Sequence, residues 1–276
     1  MNAYKRNSLR GIIAWSIASL FYAYHNAIIA ALTVVSDDLM FSLDITTTQY
    51  GLISIMYTTA YAVMQIPVGI MLDHYPIKTL ITTSLFVFSI GCLALFSIDS
   101  YPVMLCVRFI MGIAASFSVL GGLKLAADWF TSNHFATLAG LTVSIGYFGS
   151  IVGNKIVLLL EKNISLFSIF FGLFVFGLIM TVASYFFVSN FAKSDAGVRS
   201  FANIKNDIKE VCCNRLSIVI ILYAMLIFTP LSVFKESLGV LFFKGYYNFD
   251  TATAAMQMNV ILFASILAAP AIGWMS

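Results

Sequence analysis

Charge is what this chain has least of: Asp, Glu, Lys and Arg make up only 10% of its 276 residues, where soluble domains carry about a quarter. With 61% hydrophobic residues and a mean hydropathy of +0.95, that shortage excludes an ordinary water-soluble domain and points to a membrane protein. Cysteine is nearly absent too. Cys92 and Cys106 sit inside apolar runs, Cys212 and Cys213 lie beside Arg215, and no CxxC spacing occurs, so there is no disulfide framework. The net charge of +3 comes from basic residues scattered between apolar runs. A nucleic-acid partner would need a basic patch interleaved with aromatics, and none exists. No G-x-x-x-x-G-K-[ST] stretch is present to hold ATP. HExxH, GxSxG and clustered carboxylates are also missing, so the chain does not read as an enzyme.

What the chain does have is long apolar runs. A helix needs roughly 20 apolar residues to cross a hydrocarbon core about 30 Å thick. Eight runs meet that length: Gly11 to Val35, Tyr50 to Leu72, Thr79 to Ile98, Pro102 to Ala126, Phe135 to Leu160, Ile164 to Val188, Leu216 to Phe234 and Ala252 to Met275. The first is too long for a signal peptide, and no small-residue cleavage site precedes the polar stretch "SDDLMFSLD". The fold class is therefore all-α and polytopic. Lys5, Arg6, Arg10, Lys78, Lys193, Arg199, Lys205, Lys209 and Arg215 fall on one side of the spans, and the opposite loops hold only Lys162 and Lys244. Positive residues stay cytoplasmic, which puts the N-terminus inside a plasma membrane, or an inner membrane in a bacterium. The only long connection follows span 6. It divides the chain into a six-helix bundle (1–188), a cytoplasmic linker (189–215) and two further spans (216–276). Phe201, Ile204, Ile208 and Val211 recur in the linker at helical spacing, with Lys205 and Lys209 between them. That pattern suits either an amphipathic helix on the inner leaflet or a flexible tether.

Ionisable groups are expensive in a bilayer, so their placement marks the spans that surround something wet. Spans 3 and 6 have none and read as outer, lipid-facing supports. Span 1 carries His25 and Asn26, span 4 carries Arg108 and Lys124, span 5 carries Asn154 and Lys155, and span 7 ends in Lys235 and Glu236. His25 suits a proton or substrate site, or a neutral imidazole hydrogen-bonded between helices. Arg108 keeps its charge at any ordinary pH and needs a carboxylate, carbonyls or water; it is either a structural anchor or part of a solute or proton path. Lys124 stands four residues before Asp128, the spacing of an ion pair along a helix. Lys155 is close enough to the outer end of span 5 to snorkel. Gly146, Gly149 and Gly153 form one small-residue stripe where another helix can come close, as a fixed contact or a sliding surface.

The chain also repeats itself. "PVGIMLD" at 67–73 is echoed by "PAIGWMS" at 270–276, with Gly69 and Gly273, like Met71 and Met275, 204 residues apart. "GIMLDHYPIKTL" at 69–80 resembles the loop between spans 2 and 3 of the major facilitator superfamily. It keeps Gly69, Asp73 and Lys78, but has His74, Pro76 and Ile77 where a basic residue, a glycine and a second basic residue are usual. "RFIMG" at 108–112 resembles that family's span 4 motif, and "GYFGSIVGN" at 146–154 is similar to its span 5 motif without the usual proline. "FKESLGVLF" and "PAIGWMS" resemble the span 7 and span 8 signatures of its bacterial solute-permease branch.

The resemblance implies two six-helix halves rocking about a central site, with the second copy of the loop opening the second half. It implies a secondary transporter working by alternating access, with proton-coupled symport as the leading mode and no cofactor beyond an ion gradient. The alternatives are a solute or siderophore exporter of the same superfamily, or a transport-inactive receptor or scaffold. The partners would be the lipid bilayer and a small polar solute, anionic or zwitterionic, and the complete protein a monomer. His25, Asn26, Arg108, Lys235 and Glu236 are the candidate path, and Gly69, Asp73 and Lys78 the candidate gate. On this reading the native protein either continues past residue 276 for about four further spans, beginning with an aspartate, or is a truncated gene product, and residues 1–276 alone insert but do not transport. The orientation is checked by replacing the four native cysteines and placing one new one: Ser42→Cys reacts with an impermeant thiol reagent from outside, and Ser8→Cys does not. Reversed labelling would overturn the topology.

Overall fold

In hydrocarbon every backbone N–H and C=O must be satisfied within the protein, which restricts spanning segments to helices or closed barrels. The computed structural model describes residues 9–98, 100–161, 163–189, 213–219, 222–223, 226, 234 and 239–275, and these contain helices and no strand. The helices are α1 (Leu9–Val34), α2 (Ser36–Leu43), α3 (Thr47–His74), α4 (Ile77–Ala94), α5 (Tyr101–Trp129), α6 (Ser132–Leu160), α7 (Leu166–Phe187), α8 (Gly239–Tyr247) and α9 (Thr251–Met275). Among the described residues six helices, α1 and α3 to α7, are long and apolar enough to cross a membrane. They match the first six apolar runs. The seventh, Leu216 to Phe234, and the linker before it fall largely outside the described residues, and the eighth is α9.

Local chemistry sets the helix ends. Thr46 and Gln49 form a reciprocal capping box at the start of α3, and Pro102 occupies the first turn of α5, where its missing N–H costs nothing. The polar stretch 36–44 between the first two spans contains the short helix α2. Asp37 and Asp38 lie in its first turn, where the helix dipole favours negative charge. Asp44 ends it in the left-handed conformation at φ 50°, its backbone N–H bonded to carbonyls of the last turn.

The chain forms two compact units: residues 1–191 with 263–276, and residues 192–262. In the first, α1 packs on α5, α6 and α7, α3 on α5, and α4 on α5 and α7. α1 and α5 are the most buried spans, and α3 and α7 among the least. α7 meets the expectation of an outer helix, exposing Ile179, Val182 and Phe186. α4 meets it on one face alone: Phe86 and Ile90 are exposed, while Ile81, Leu85, Phe88 and Cys92 are fully buried. Its covered face is tied to α7 by a Thr82–Ser184 hydroxyl contact of 2.9 Å. An apolar sequence cannot distinguish lipid from protein as the covering, since both are equally oily. In the second unit the aromatic rings of α8 stack on one another, with Phe242 over Tyr246 at 5.6 Å.

The seam between α1 and α6 sets the geometry of the first unit. A Cβ at Gly149 would collide with the backbone of Ala23, one at Gly153 with the backbone of Ala27, and one at Gly146 with the ring of Tyr22. The two backbones therefore touch, and both belong to the same unit. At the other end of the seam Trp15 Nε1 donates to Thr142 Oγ1 at 3.0 Å, and Ser19 Oγ lies 3.3 Å from the same oxygen. Gly149→Leu is expected to cost roughly 1–3 kcal/mol through overpacking. Gly172→Leu, where an added Cβ meets nothing within 4 Å, should stay within about 0.5 kcal/mol of the parent. Thermal unfolding in detergent compares the two, and equal effects would refute the close contact.

Candidate functional site

Ala23 and Ala27 face α6. His25, two residues from each, lies roughly 200° around α1 from both. It therefore points the other way, toward α3, α4 and α5, and it is 4% exposed. Rings from three helices surround its imidazole: Tyr22 at 5.7 Å, Tyr57 at 5.9 Å, Tyr61 at 5.5 Å and Phe88 at 5.8 Å between centroids. From α5, Ser118 Oγ lies 3.2 Å from Nδ1 and donates its own hydrogen to the Ala115 carbonyl at 2.6 Å. A hydroxyl has one hydrogen to give, so the Nδ1 contact requires Nδ1 to be the donor. The neutral ring in this contact then carries its hydrogen on Nδ1. Asn26 is half-buried, and its amide donates to the Tyr22 carbonyl of its own helix at 2.8 Å.

Arg108 on α5 is 5% exposed. Its guanidinium carbon stands 4.5 Å from the centre of the Tyr57 ring, and its Nε and Nη1 have no hydrogen-bond partner among the described residues. Gly112, one turn on, explains the placement: a Cβ there would strike the Tyr57 carbonyl, so the glycine of "RFIMG" lets α3 approach and lays the Tyr57 ring against the arginine. Tyr57 thus touches both His25 and Arg108. A desolvated cation over an aromatic face gains about 2 kcal/mol, whereas burying an ion costs several, so the ring alone does not compensate the charge. Beside the guanidinium is a cavity of about 10 Å³ bordered by Tyr50, Ser54 and Leu95, close to the room one water needs.

At the α3 to α4 end, Lys124 bridges two helices. Its Nζ is 2.9 Å from Asp73 Oδ1 and 3.3 Å from Asp128 Oδ1. The pair along the helix was expected from its spacing, and the link from α5 to Asp73 was not. Lys78 lies with its Nζ 4.4 Å from the centre of the Tyr185 ring. A Cβ at Gly69 would meet nothing within 4 Å, so in this conformation no close approach requires glycine there. Lys155 is exposed, while Lys235 and Glu236 lie outside the described residues. Tyr57, Tyr61 and Ser118 complete the surroundings of His25 without a formal charge to mark them in the sequence. The tyrosines had a signal, since "YTTAY" puts them four apart on one helix face, and their rings stack at 6.3 Å.

Six spanning helices, the small-residue seam and a charged turn between the second and third spans are joined by a sequence comparison. The family model of the Major Facilitator Superfamily matches residues 14–276. The chain belongs to that superfamily. Among curated proteins it is similar to the probable galactarate/D-glucarate transporter GudP of Bacillus subtilis, 25% identical over 187 residues, which take in 64% of this chain and 40% of that protein. It is 30% identical over 139 residues to the hexuronate transporter of Escherichia coli K12, covering 50% of this chain and 30% of the relative. The galacturonate transporter of Dickeya chrysanthemi is 27% identical over 139 residues, covering 50% and 37%. The matched stretches thus span less than half of each of these relatives.

The chain's turn after α3 departs from the superfamily motif it resembles. Ile77, where a basic residue is usual, is 6% exposed and packs in the core. The positive charge beside Asp73 comes instead from Lys124 on α5. Because Asp73 is well exposed, the bridge is worth about 1 kcal/mol or less. Lys124→Met should therefore shift thermal unfolding only slightly. A large loss of stability would mean that the bridge is a structural pin.

Proposed function

We propose that the protein is a secondary active transporter that carries a small anionic solute of the sugar-acid class by proton-coupled symport and alternating access. The observation that carries this reading is Arg108, a buried guanidinium whose Nε and Nη1 find no acceptor among the described residues. A permanent charge in such a place calls for an anion, and a carboxylate matches its planar fork. The cavity beside it admits about one water, so the carboxylate reaches it in a conformation that widens that space. The named solutes of the relatives, galactarate, D-glucarate, hexuronate and galacturonate, are sugar acids and support the class.

His25 is the proposed proton carrier, taking up the proton at Nε2, since its unperturbed pKa of about 6.5 allows a change of charge near neutrality. Tyr57, against both His25 and Arg108, gives the two charges a shared wall. Asn26, Lys235 and Glu236 are proposed to complete the path, Glu236 as the second candidate for coupling. Asp73 acts with Lys124 as a gate contact made in one conformational state, and Gly69 and Lys78 shape the same turn.

The test is uptake of radiolabelled D-glucarate and galacturonate into membrane vesicles carrying the complete protein, with and without an inward proton gradient, against a neutral hexose. Gradient-driven uptake of the acids and none of the hexose is expected, and hexose uptake or indifference to the gradient would overturn the reading. Arg108→Met should abolish acid uptake while leaving the unfolding temperature equal or higher, because an uncompensated buried charge is replaced by an apolar side chain of similar length. A lower unfolding temperature would mark Arg108 as a structural anchor. Asp73→Asn should slow uptake with membrane abundance largely intact.

A further inference from the structure

α6 has a second working face. Gly140 and Ser144, one turn apart, lie on the side roughly opposite the seam with α1 and meet the last turns of α9, which belong to the same compact unit. A Cβ at Gly140 would strike the carbonyl of Ala269 and come within 2.9 Å of Pro270 Cα, so backbone rests on backbone here as well. Ser144, 6% exposed, donates its hydroxyl to the Ile266 carbonyl at 2.7 Å and lies 3.0 Å from the Gly140 carbonyl of its own helix.

The acceptor is informative. In a helix the carbonyl of residue 266 would bond the N–H of residue 270, but residue 270 is proline and has none. Ile266 is therefore the carbonyl that the proline leaves without its in-helix donor, and in a membrane such a group costs several kcal/mol if nothing satisfies it. Ser144 satisfies it from the neighbouring helix.

We propose that Ser144 is a positioning residue for transport: its hydroxyl caps the carbonyl released by Pro270 and holds the end of α9 against α6, a bond that the transport cycle must break when the two helices part. This rests on the alternating-access reading for its role in the cycle, while the contact itself can be tested without any solute. The two residues form one unit. Ser144 matters because residue 270 is proline, and restoring an N–H at 270 removes the need for it.

The experiment uses the complete protein in membrane vesicles, with native cysteines replaced and Thr137→Cys as reporter, three residues before Gly140 on the same face. Maleimide labelling of that cysteine reads how often α9 leaves α6. Ser144→Ala should speed labelling roughly two- to tenfold, the range of one neutral hydrogen bond, and Ser144→Thr, which keeps the hydroxyl, should label at the parental rate. In a Pro270→Ala background, where the backbone N–H returns, Ser144→Ala should change labelling little. Parental labelling of Ser144→Ala, or the same acceleration in both backgrounds, would overturn the proposal. Labelling needs no solute, so the expected pattern combined with absent sugar-acid uptake would count against the proposed substrate and leave the contact standing.

Discussion

The backbone contact of α1 with α6 is the constraint on which the first unit depends. Ala23 and Ala27 lie against Gly149 and Gly153 with no side chain between them, and this contact fixes the rotation of α1 about its own axis. Once 23 and 27 face α6, the helical period sends His25 to the opposite side, into the angle between α3, α4 and α5. A bulkier residue in the stripe would push α1 outward and turn the imidazole away from Ser118 and the tyrosines. The same seam ends at Thr142, which receives the indole N–H of Trp15 at 3.0 Å, so both apolar closeness and a polar tie hold the register.

A second close contact does for α5 what the first does for α1. Gly112 admits the backbone of Tyr57, and the tyrosine ring then lies near both Arg108 and His25. The energetic balance at this point is unfavourable, because the ring face returns about 2 kcal/mol against a desolvation cost of several. Folding alone does not account for a charge kept there, since an apolar residue of similar volume would be as stable or more so. That surplus cost is the ground on which the proposed anion-binding role of Arg108 rests.

The first six spans, their order and the small-residue stripe were legible because each is a property of one helix: a run of apolar residues, or a spacing of three and four. Lys124 with Asp128 was legible for the same reason. The partners of His25 and Arg108 were not, because they depend on how four helices are rotated against one another, which hydropathy leaves free. Asp73 with Lys124 crosses from α3 to α5 and was missed on that ground. The lipid-facing character of α4 was half right: an all-round apolar helix has no sequence mark for the side that α5 and α7 cover. α2 escaped notice because its eight residues are too few for a hydrophobic period, and its signal lies in the acidic first turn and the left-handed Asp44.

The departures at the turn after α3 show how a charged contact can survive the loss of its usual donors. The expected basic positions are His74 and Ile77. His74 turns its Nδ1 back to the Ile70 carbonyl at 2.8 Å, and Ile77 is buried in the core. A basic side chain at 77 would have to enter that core or displace the start of α4. With an apolar residue there, α4 begins tightly packed, and the cation is supplied from the far end of α5, where Lys124 is one turn from Asp128 and in reach of Asp73. This contact ties α3 to α5, the helix that carries Arg108. On the proposed alternating-access reading, a movement of α3 against α5 would part Asp73 from Lys124 and shift Tyr57 against the guanidinium. The proposed gate contact and the buried charge thus lie on one pair of helices, α3 and α5.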